Sequence, residues 1–143
     1  RAPESIAAVK AVFVSRGDDS GTHKRELSLW KQDGIEPRGR WYNQDGQGMG
    51  RTLQIEGDMQ ASTLVDRGTW LAFRANSPLN LLLEGGEVLR NPYGIISVSP
   101  DRFPDVNYAA VQKLIRWFES DEARDLIAGY KVDGEPLFYP VRK

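Results

Sequence analysis

The chain has 143 residues, 40% of them apolar and 27% charged, with a net charge of −1. That is enough for one domain with its own core, and there is no basic run to attract nucleic acid or an anionic membrane surface. It has no cysteine, which excludes disulfide scaffolds, thiolate metal sites and cysteine nucleophiles, and fits an exported protein as well as a cytosolic one.

The chain opens on Arg1, without Met and without a signal peptide. Residues 1–10 read as the end of an amphipathic helix carrying Ile6, Val9 and Lys10, so the sequence is expected to be a piece of something longer. No run reaches the roughly 18 apolar residues that a membrane-spanning helix needs. Residues 11–16 are apolar and β-branched, as a buried strand should be. A polar turn with Gly17 and Gly21 follows, then a helix over 19–33 with His23, Leu27 and Trp30 on one face, ended by Asp33-Gly34.

The run Gly46-Gln47-Gly48-Met49-Gly50 makes a second glycine turn that opens another helix, with Met49, Leu53 and Gly57 at helical spacing. Residues 61–66 read as a strand that passes through Asp66-Arg67-Gly68-Thr69 into a short helix ending near Ala75-Asn76. The apolar runs 79–83 and 95–99 read as two more strands. In the C-terminal third, Val111, Leu114, Ile115 and Phe118 define an amphipathic helix over 107–119. Ser120 caps the next one, where Ala123, Leu126, Ile127 and Tyr130 repeat the spacing. The apolar, proline-interrupted end at 134–140 must lie on something, or it would be an exposed sticky patch. Strands alternating with helices give an α/β fold, in which the glycine turns gather at one sheet edge, where ligands bind.

The first turn has the parts for gripping a small oxyanion. Arg16 at the strand end carries a planar fork of donors, and Ser15, Ser20 and Thr22 carry hydroxyls. A capped helix start adds free backbone N–H groups and a partial positive charge. The plainer alternative is that Asp19 and Ser20 only cap the helix while Arg16 pairs with Asp18 or Asp19 on the surface. Arg67-Gly68-Thr69 offers either a second arginine with further N–H groups, or a cap with a weak surface ion pair.

His23 is the one histidine. A triad of Ser20, His23 and Asp19 would lie on a single turn, whereas working triads draw on separated segments, so local capping or packing is the preferred reading. No second histidine is present for a zinc site. The Gly46–Gly50 run lacks the phosphate-loop pattern and is either a tight turn or one that closes over a ligand or lines a hinge. Nothing here reads as an enzyme.

Four segments in order are then specific enough for a resemblance: Phe13 to Lys24, Gly46 to Gly50, Leu64 to Thr69, and Asn91-Pro92-Tyr93-Gly94. Together they closely resemble the substrate-binding proteins of tungstate or molybdate ABC transporters, over nearly the whole chain from Ile6. Val65 stands where that family usually has Thr, which removes one hydroxyl.

The resemblance implies a two-lobed, class II periplasmic-binding-protein fold that closes around a tetrahedral dianion. Residues 1–100 would be the second lobe, a mixed sheet flanked by helices. Residues 101–143 would be C-terminal helices and a tail returning toward a first lobe that this sequence lacks. The ligand residues it implies are Arg16, Ser15, Ser20, Gly21, Thr22, Gly68 and Thr69, with no cofactor, metal or catalytic residue. It further implies an ABC permease as membrane partner and a periplasmic or exported location. The lone lobe is expected to bind anion weakly or not at all, and to self-associate through the surface the first lobe would cover. The rival reading is an anion-sensing effector lobe of a transcriptional regulator. Tungstate and molybdate have nearly the same size and charge, so the sequence does not separate them.

Overall fold

The computed structural model describes residues 2–141. The chain divides into two compact units, Arg1–Val88 and Leu89–Lys143. In the first, helix α1 (Ala2–Val9) leads to strand β1 (Phe13–Ser15), helix α2 (Gly21–Gln32), strand β2 (Tyr42–Gln44), helix α3 (Met49–Met59) and helix α4 (Arg67–Phe73). β1 and β2 pair in parallel with Phe13 opposite Tyr42 and Ser15 opposite Gln44. Parallel pairing requires a crossover, and α2 is that crossover.

The segment expected as a strand over 61–66 lies on the other side of β1 and is likewise parallel, but its pairing is confined to a bridge at Ser62. Val14 N–H donates to the Ser62 carbonyl and Ser62 N–H to that of Val12, each at 2.9 Å. The Thr63 hydroxyl then donates to the Val14 carbonyl at 2.7 Å. β1 is thus the middle of three parallel segments, and all three of its residues are buried, as a strand covered on both faces must be.

The core joins Phe13 and Val14 of β1 to Trp30 of α2, Met49 and Leu53 of α3, and Leu71 of α4. Phe13 meets Trp30 edge-to-face at 5.2 Å and stacks on Tyr42 at 6.0 Å. α3 presents Met49, Thr52, Leu53 and Glu56 inward, one face at helical spacing. The inward face of α2 is His23, Glu26 and Trp30. Leu27, expected on that face, is 40% exposed, and Glu26 takes its place.

The second unit holds helices α5 (Tyr108–Phe118) and α6 (Asp121–Gly129), with the short antiparallel pair β3 (Lys131–Val132) and β4 (Glu135–Pro136). Asn107 caps α5 and Ser120 caps α6 through side-chain oxygens. Asp133 and Gly134 both have positive φ, the demand of a two-residue hairpin turn that Asp-Gly meets. Phe138, in the apolar tail, packs edge-to-face on Tyr93 at 5.6 Å.

The runs 79–83 and 95–99 are not strands among the described residues. A β-branched, apolar run becomes a strand only when a neighbouring backbone takes its polar groups. No described backbone forms a ladder with either run, and Leu82 and Ile96 are 84% and 89% exposed.

Candidate functional site

In parallel segments all C-terminal ends lie at one edge, so the turns after β1, after β2 and after residue 65 converge there. Each leads into a helix. The first two turns are tied directly: Asp45 N–H donates to the Ser15 carbonyl at 3.1 Å and Gly46 N–H to that of Arg16 at 2.8 Å. Gly17 makes the approach feasible. Its φ is +59°, and a Cβ there would sit 2.7 Å from the Cβ of Gln44, so only glycine fits.

The turn after β1 is held by its own side chains. Asp18 accepts from Ser20 N–H at 3.1 Å and pairs with a terminal nitrogen of Arg16. The Ser20 hydrogen bonds, its hydroxyl first, and the Arg16 charge hold the Asp18 carboxyl below its ordinary value. Asp19 sits at φ +59°, and its N–H donates to His23 Nδ1 at 3.0 Å. The Ser20 hydroxyl caps α2 by accepting His23 N–H at 3.3 Å. His23 therefore accepts from backbone, not from a side chain, and no nucleophile–base–acid chain forms with Ser20 and Asp19.

These bonds leave a specific set of donors unspent. Gly21 and Thr22 occupy the first two positions of α2, and their N–H groups have no acceptor among the described residues. Arg16 Nε and His23 Nε2 are buried and also without a partner among those residues. A buried donor without an acceptor costs about 1–3 kcal/mol. The arrangement suits a group that brings acceptors and no proton.

Ser15 is fully buried, and its hydroxyl, expected to face the ligand, donates instead to Glu26 at 2.6 Å. Glu26 also accepts from Tyr42 at 2.8 Å and from Trp30 Nε1 at 3.0 Å. Burial first of all pushes the Tyr42 hydroxyl above its ordinary pKa. At the third turn Asp66 caps α4 and takes both donors of Thr69, the N–H at 2.9 Å and the hydroxyl at 2.7 Å. The Gly68 N–H lacks an acceptor among the described residues, while Arg67 pairs with Glu84. Of the seven implied ligand residues, the structure thus gathers five around the first turn, and places Gly68 and Thr69 at the third, along the same edge.

Two residues of this edge and core escaped the sequence reading. Glu26 had one legible signal, a carboxylate four residues before Trp30 on the inward face. Glu56 of α3 is buried, its Oε2 without a partner among the described residues, and burial pushes its carboxyl up to about 8. Among the described residues no group of His, Asp and Glu is placed to hold a metal, and no helix is long and apolar enough to cross a membrane.

A family model for the PBP superfamily domain matches residues 4–122. The chain belongs to the PBP superfamily. Among its curated relatives, the tungstate-binding protein TupA of Peptoclostridium acidaminophilum is 43% identical over 139 residues, covering 96% of this chain and 49% of the relative. The protein of the same name from Campylobacter jejuni is 39% identical over 140 residues, covering 94% and 52%. The solved tungstate-binding protein TupA from Desulfovibrio alaskensis superposes with a TM-score of 0.83 at 42% identity, over 98% of this chain and 58% of that one. This superfamily member therefore spans about half the length of the curated relatives it matches. Its α/β character and PBP-like fold are those expected of the sequence.

Proposed function

We propose that this chain supplies part of the substrate-binding protein of an ABC transporter, and that it grips a tetrahedral oxyanion, tungstate or its near twin molybdate, at the start of α2. The observation that carries this reading is the set of unspent donors on one turn: the Gly21 and Thr22 N–H groups beside the buried Arg16 Nε. Relatives named for tungstate binding support the choice of anion and of transporter.

A fully deprotonated dianion cannot satisfy groups that need a proton from it. Fixed N–H dipoles, a guanidinium and a helix N-terminus suit it better than any carboxylate would. Arg16 supplies charge-assisted bonds, and Gly21, Thr22 and Gly68 supply neutral donors. Ser20 holds the helix start in place, while the Ser15 and Thr69 hydroxyls, spent on Glu26 and Asp66, stand one step back from the anion. The chain binds and does not catalyse. Its membrane partner is an ABC permease that receives the anion when the lobes of the full-length protein close, and an exported or periplasmic location follows from that role.

Isothermal titration of tungstate, molybdate and sulfate into the full-length gene product and into the 143-residue chain tests the reading. Tight tungstate binding by the full-length protein is expected, with little by the 143-residue chain. If neither takes up tungstate, the oxyanion reading fails and the turn is only a capped helix start.

A further inference from the structure

The carboxylate of Glu26 lies one turn inside α2, 3% exposed, with no ion pair among the described residues. Burying a charge without a counter-ion is costly unless donors surround it, and here they come from three elements. Ser15 of β1 donates to Oε2, and Trp30 of α2 and Tyr42 of β2 both donate to Oε1. An apolar residue of similar size would leave these three donors without their acceptor, so the position calls for a group that accepts.

The consequence lies one bond further on. Because the Ser15 proton points at Glu26, the lone pairs of the Ser15 oxygen point elsewhere, and one accepts Gly17 N–H at 3.3 Å. Gly17 is the left-handed residue that follows Arg16 and packs on Gln44. A relay thus runs from Glu26 through Ser15 to the backbone beside Arg16. We propose that Glu26 is a positioning residue for anion binding, fixing the direction of the Ser15 proton and, through it, the backbone that aims Arg16. This rests on the oxyanion reading of the same turn.

A buried glutamine differs from glutamate here in a definable way. If its oxygen keeps the Trp30 and Tyr42 bonds, its NH2 group faces Ser15 and donates where Oε2 accepted. Ser15 must then turn its proton away, and its oxygen is shared between the amide and Gly17 N–H. Glu26→Gln should weaken tungstate binding by the full-length protein about tenfold. Ser15→Ala should weaken it to a similar degree. The discriminating readout is the double variant: if Glu26 acts through Ser15, Ser15→Ala/Glu26→Gln binds no worse than the weaker single variant. Losses that multiply in the double variant would overturn the relay, since two side chains acting through one shared hydrogen bond lose it only once. Tungstate binding unchanged in Glu26→Gln would overturn it too. Should Glu26→Gln fail to fold, Ser15→Ala decides, and undiminished binding there overturns the proposal. Absence of binding by the unmodified protein would instead sink the oxyanion reading beneath it.

Discussion

Arg16, Gly17 and Glu56 are each a single residue whose surroundings set a measurable expectation. Gly17 combines φ +59° with a 2.7 Å approach to the Gln44 Cβ, so Gly17→Ala meets both backbone strain and a clash against a strand. Strain of this kind costs about 1–3 kcal/mol, and thermal melting should show a lowered Tm. Gly50→Ala is a useful contrast. Its Cβ would meet the Phe73 ring at 2.8 Å, but that ring is 39% exposed and can swing aside, so a smaller loss is expected. Equal losses at both sites would refute the special demand at Gly17.

Glu56 carries the pH prediction. Its folded carboxyl is raised from 4.5 to about 8, so the folded protein holds a proton that the unfolded chain has released. The stabilisation is complete below pH 4.5 and is lost as pH rises toward 8, where Glu56 ionises in the fold. Glu56→Gln removes that loss, so the variant's Tm should fall less than the parent's between these limits. Parallel Tm curves for the two proteins would contradict the assignment. Nothing in the sequence announced this group, because a glutamate in a helix reads as surface until the fold places it inward. Glu26 was hidden for the same reason: its three donors come from positions 15, 30 and 42 and meet only when β1, α2 and β2 assemble.

At the scale of elements, local chemistry decided most boundaries. Ser20, Asp66, Asn107 and Ser120 each cap a helix by accepting a backbone N–H three residues on. Ser20→Ala should cost about 1 kcal/mol through loss of that cap, and should lower Tm even without anion present. An unchanged Tm would mean that α2 does not depend on its cap. These helices were legible because caps and 3.6-residue spacing are properties of short segments. Strands were less so. β1 could be read from its own residues, but 61–66 reduced to a bridge, and 79–83 and 95–99 form no ladder among the described residues, since a strand exists only with a partner that its own sequence does not specify.

At the scale of the whole molecule, the parallel arrangement of three segments does what no motif does alone. It carries the turns after β1, β2 and residue 65 to one edge, each followed by a helix N-terminus. Turns that are far apart in sequence become one surface, where several donors have no acceptor among the described residues. The alternation of elements made this edge foreseeable, while the commitment of the Ser15 and Thr69 hydroxyls to Glu26 and Asp66 was visible only in the structure.

The most direct test of the central claim, that Arg16 and the start of α2 hold the anion, is isothermal titration of tungstate into full-length Arg16→Ala, with thermal melting to confirm the fold. Hydrogen bonds to a charged group are worth about 1.5–3 kcal/mol each, so affinity should fall at least about tenfold while Tm in the absence of anion changes little. A folded Arg16→Ala protein that binds tungstate as tightly as its parent would contradict the account.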